Sequence, residues 1–131
     1  MIKLTIGVLA MMLTNAASAA EPLLEAPGSN IGYPTVAKAF ESLSSQPGLR
    51  KVMQNGWTVF DDETAHTIWS FAPQGSPPFP AVVKRQIVAE RTGISIKMDV
   101  HCESTKDACD DLVVMFEKLN ETVKQQMSQR H

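Results

Sequence analysis

Cysteine is scarce in this chain, with two among 131 residues. Cys102 and Cys109 stand too far apart to form the C-x-x-C pair of a thiol oxidoreductase. A basic excess is missing too: 12 Lys and Arg face 14 Asp and Glu, a formal net charge of −2 at pH 7. With neither a basic patch nor a basic amphipathic helix, nucleic acid and anionic membrane surfaces are poor matches as partners. After residue 20 no apolar run approaches the roughly 20 residues that a membrane-spanning helix needs, so membrane insertion is not expected. The acidic trio Asp107, Asp110 and Asp111 lacks the Gly and bidentate Glu of an EF-hand loop. No G-x-S-x-G elbow accompanies any Ser, and no internal repeat is present. With these signatures missing, the expectation is a protein that is not an enzyme and holds no cofactor.

What is there begins with Lys3, the apolar run of residues 4–13 and the small residues Ser18, Ala19 and Ala20. That order is a secretory signal peptide cut after Ala20, and no Cys near the cut offers a lipid anchor. Export places the chain in the periplasm or outside the cell, where two thiols pair, so a Cys102–Cys109 disulfide is expected. Residues 21–32, with two Pro and no periodic pattern, read as a flexible arm. Residues 33–131 have the length of a single domain.

Within that domain Val36, Phe40 and Leu43 mark one face of a helix that starts near Pro34 and stops at Pro47-Gly48. Asn55-Gly56 between two extended runs signals a type I′ hairpin with Val52 opposite Val59. Residues 66–71 form the next strand. Setting Val59 opposite Trp69 gathers Trp57, Trp69 and Phe71 on one surface, assigned to the core. Residues 73–80, PQGSPPFP, cannot be a central strand because proline has no N–H for a ladder; Ser76-Pro77 and Phe79-Pro80 are the candidate cis bonds. Residues 81–91 and 94–102 pair around Thr92-Gly93, with Ile87 opposite Met98 and Val83 opposite Cys102. Along the latter strand Ile94, Ile96, Met98, Val100 and Cys102 alternate with Ser95, Lys97, Asp99 and His101, leaving one face wet. Ser104, three residues before Asp107, reads as the N-cap of the longest helix, whose stripe Cys109, Leu112, Phe116, Leu119 and Val123 runs to about residue 126. The fold class is α+β and two-layered: an antiparallel meander of four to five strands, with an N-terminal and a long C-terminal helix packed on one face.

Each candidate site has a plainer explanation beside it. His101 shares a strand face with Asp99, and His66 lies upstream, but a solvated charge cluster with Lys84 and Lys97 accounts for them without catalysis. A metal site from His101, Cys102, Cys109 and Asp110 conflicts with the alternation that points His101 away from Cys102. The stiff loop is the stronger candidate. Phe79 among Pro77, Pro78 and Pro80 loses little entropy on binding, with Trp69 as a neighbouring aromatic edge. Against this, Phe79 can fold back over the sheet edge, and a Trp is more often core than platform.

The strings GWTVFDD at 56–62, TIWSFAPQGSPPFPAVVKR at 67–85 and CESTKDACDDL at 102–112 resemble those of small secreted proteobacterial proteins of unknown molecular function. The resemblance implies export and the Cys pair and designates no site residues. The function expected is a disulfide-stabilised, non-enzymatic module that binds another protein, as a monomer or a weak dimer through a sheet edge. The alternatives are an inhibitor of a secreted or envelope hydrolase and, third, a metal protein or enzyme.

Overall fold

The computed structural model describes residues 30–129. The expected signal peptide and most of the expected arm lie outside the described residues. Asn55 and Gly56 take positive φ angles of 51° and 84°. The chain reverses there, joining β1 (Arg50–Gln54) to β2 (Trp57–Asp62) with Val52 opposite Val59, as the hairpin motif predicts.

The turn into β3 (Thr67–Phe71) is less regular. Asp62 Oδ1 accepts from the Ala65 N–H at 3.1 Å, His66 N donates to Glu63 O at 3.3 Å, and His66 itself sits at φ 50°. This turn brings Phe60, rather than Val59, opposite Trp69. Because side chains alternate, that one-residue difference sends Trp57 and Trp69 to opposite faces of the sheet, correcting the shared aromatic surface expected above.

β4 (Ala81–Glu90) and β5 (Gly93–Cys102) are linked through Arg91-Thr92, one residue earlier than expected. Moving a two-residue turn by one position shifts the register by two. Ile87 now faces Ile96 and Val83 faces Val100, yet every side chain keeps its expected face. The sheet order is β1-β2-β3-β4-β5, all antiparallel, with β1 and β5 as edges.

Both faces of this sheet are apolar at its centre. Phe60, Trp69, Phe71 and Val82 point one way and meet α1 (Val36–Ser45) through Val36, Ala39 and Leu43. Val83 and Val100 point the other way and meet Leu112 and Phe116 of α2 (Lys106–Ser128). The helices therefore lie on opposite faces, not together on one. The reason is written in pairs of neighbours, Val59-Phe60, Ile68-Trp69 and Val82-Val83, which place an apolar group on each side. The α+β class, the five-stranded meander and the two helices stand as expected. Ile31, inside the stretch read as an arm, is buried in the α1 core. Among the described residues no helix is long and apolar enough to cross a membrane.

Aromatic edges join the layers. Phe40 meets Phe60 and Phe71 at centroid distances of 5.7 and 5.1 Å, and Trp57 meets Phe116 at 5.5 Å. Phe60, 2 % exposed, is at the centre of the α1 side. Replacing it with Ala is expected to lower unfolding free energy in urea by about 3–5 kcal/mol, as for large-to-small changes in a closed core. Val52→Ala on the exposed first strand is expected to cost under about 1 kcal/mol in the same titration.

Candidate functional site

Three consecutive residues leave the end of β5, and each fastens a different element. Cys102 is bonded to Cys109 in the first turn of α2, with Cα atoms 5.8 Å apart. Glu103 Oε2 accepts from the Val36 N–H at 3.1 Å, putting a carboxylate at the positive end of α1. The same oxygen lies 3.0 Å from His101 Nε2. Glu103 N donates to Pro80 O at 2.8 Å, and Ser104 Oγ donates to Pro77 O at 2.6 Å. The cap of α2 is consequently Thr105, whose Oγ1 accepts from Ala108 N at 3.2 Å. Ser104, expected in that role, is spent on the loop.

The loop over residues 73–80 is two successive turns. Ser76 donates to Pro73 O through both its N–H at 3.0 Å and its hydroxyl at 2.6 Å, and Phe79 N donates to Ser76 O at 3.1 Å. Ala72 N to Ala81 O at 3.0 Å closes the base, and the Phe79-Pro80 bond is cis. The disulfide sulfur of Cys102 approaches Pro78 O at 3.6 Å; it has no proton to donate, so this is a packing contact. Pro77, Pro78 and Pro80 all direct carbonyls to the junction. The side chain of Phe79 is 41 % exposed and belongs to neither core cluster.

Trp69 is elsewhere. It is 7 % exposed in the α1 core, edge-on to Tyr33 at 5.8 Å and beneath Lys84 Nζ at 5.1 Å. It supports the sheet and offers no exposed platform beside Phe79. The imidazole of His101 is engaged by Glu103, not Asp99. Asp99 lies opposite Lys84 on the neighbouring strand. His66 is beyond the far end of β3, more than roughly 13 Å along the strand direction from the row that holds His101. Among the described residues no group of three or more His, Cys, Asp or Glu is placed to hold a metal ion, and both Cys are consumed in the disulfide.

Sequence reasoning missed Glu103 altogether and missed the engagement of Ser104 with the loop. A polar pair directly after a strand-ending Cys and before a helix is a signal of a junction, but its partners lie far off in the chain and leave no local pattern. No family model, curated protein or solved structure matches this chain.

Two outcomes test the junction. Reducing the disulfide, which spans seven positions, is expected to cost about 2–3 kcal/mol of stability and to lower the melting temperature measured with and without reductant. An unchanged melt removes the clip from the account. Glu103→Ala deprives the first N–H of α1 of its acceptor and is expected to lose about 1–2 kcal/mol in urea titration, with the fold retained.

Proposed function

We propose that this chain is an exported, non-enzymatic interaction module that presents Phe79 on a pre-formed loop to another protein in the periplasm or outside the cell. One observation carries this reading: Phe79 is exposed while the backbone on either side of it is held by the β5–α2 junction. A ring carried on a backbone already fixed in place leaves only its side-chain freedom to lose on contact, and binding strength rests on that saving as much as on area. Pro77, Pro78 and Pro80 shape the ledge around it. The disulfide supports the reading by suiting an oxidising compartment. The chain acts as a monomer or a weak dimer, the short and wholly exposed β1 being the sheet edge open to a second copy.

The same rigidity supports a second reading, an inhibitor whose loop enters the active site of a secreted or envelope hydrolase. Crosslinking from intact envelope and culture supernatant, with the oxidised chain as bait, identifies the partner. Assay of that partner's activity with added chain separates the two readings. With the purified partner, Phe79→Ala is expected to raise Kd about 10- to 100-fold, the equivalent of burying one phenyl ring, and to leave the melting temperature unchanged. Equal Kd for parent and variant would remove the loop from the interface.

A further inference from the structure

Arg85 is a cation in an apolar row. On β4 the side facing α2 reads Ala81, Val83, Arg85, Ile87, so a guanidinium occupies a position where its neighbours are core. It lies over the Phe116 ring at 5.0 Å, and one long hydrogen bond joins it to Asn120 Oδ1 at 3.4 Å. Its Nε is buried without a partner, and none of the ion pairs among the described residues includes it. Burial pushes its pKa down, but a guanidinium remains a cation at neutral pH. A half-buried charge with no counter-ion is costly to keep.

This residue borders an open trough of about 630 Å³. The trough exists because α2 runs back along β5, from the disulfide at Cys102 to the contact of Asn120 Nδ2 with Met98 Sδ at 3.4 Å. That leaves the same face of the first three strands partly uncovered. Val59 and Ile68 line it from the sheet, and Met115 and Leu119, 48 % and 42 % exposed, line it from the helix. Arg50 and Asp61 also line it but neutralise one another at 2.9 Å. Arg85 therefore supplies the unbalanced charge. The volume falls within the roughly 300–1,000 Å³ of small-molecule sites, which combine apolar walls with a few polar groups.

We propose that this trough binds a small single-chain amphiphile with one anionic head, a fatty carboxylate being the simplest member. Its tail lies along Val59, Ile68, Met115 and Leu119, and its carboxylate pairs with Arg85. A peptide fits less well: along the apolar stretch of Val59, Ile68, Met115 and Leu119 a buried peptide backbone would leave its own N–H groups unmet. An acyl chain brings one acceptor group for the one unpaired cation. The site is separate from the Phe79 loop and stands or falls independently of it.

The test is calorimetry and amide-shift mapping of the oxidised chain with monomeric dodecanoate, with dodecylamine as the cationic counterpart and phosphatidylglycerol vesicles as a bilayer control. One saturable dodecanoate per chain is expected, with shifts at Ile68, Arg85 and Leu119 and binding of dodecylamine at least about 10-fold weaker. Arg85→Met is expected to weaken dodecanoate at least about 10-fold. Leu119→Glu, at an exposed rim position and so independent of core packing, should do the same. The proposal is overturned by equal binding of both amphiphiles, by undiminished binding in Leu119→Glu, or by the absence of saturable binding. Binding to vesicles alone, or a dimer in sedimentation that buries these residues, overturns it as well.

Discussion

The junction Cys102-Glu103-Ser104 is the constraint on which the remaining structure depends. A covalent bond, a carboxylate and a hydroxyl in consecutive positions secure α2, α1 and the proline loop in turn. Each is a different chemistry with a different geometric demand, and together they fix elements that are distant in sequence; Glu103 reaches across 67 positions to Val36. The loop gains its shape from this arrangement, because prolines cannot donate to a ladder and their carbonyls need donors from elsewhere. Backbone and side-chain donors at the junction supply them.

The second organising feature is a sheet that is apolar on both faces at its centre and on one face at its far end. Phe60, Trp69 and Val82 draw α1 to one side, and Val83 and Val100 draw α2 to the other. α1 spans only ten residues and α2 spans 23, so coverage is uneven. At about 1.5 Å rise per residue α2 is long enough to follow β5 along its whole length. Its contacts with that strand, from the disulfide at Cys102 to Asn120 against Met98, leave the face of β1 to β3 partly uncovered, and Val52 and the α2 residues Met115 and Leu119 stay exposed. Uneven coverage is why the molecule has a trough at all, and Arg85 at its border gives that trough a sign.

Much of the architecture was legible from local chemistry. Asn55-Gly56 admits the two positive φ values of its turn, and β5 alternates without a break. Cys102 at the end of that strand and Cys109 on the apolar stripe of the next helix were readable as a clip. Phe79 stood out as an aromatic residue on a stiff loop. Less legible was the turn after β2, where His66 adopts a positive φ that no Gly announces, and the register moved by one residue. An Arg within the alternation Ala81, Val83, Arg85, Ile87 was a visible irregularity, but its meaning depended on knowing which parts of that face α2 leaves open.

The sequence by itself determined the elements, the Asn55-Gly56 hairpin and the disulfide, because turn chemistry, alternation and cysteine pairing act over a few residues. Tertiary structure alone decided the face each helix occupies, the engagement of Glu103 and Ser104, the burial of Trp69 and the isolation of Arg85. Those outcomes depend on register and on contacts between segments tens of residues apart, where a single-residue shift exchanges one face of a strand for the other.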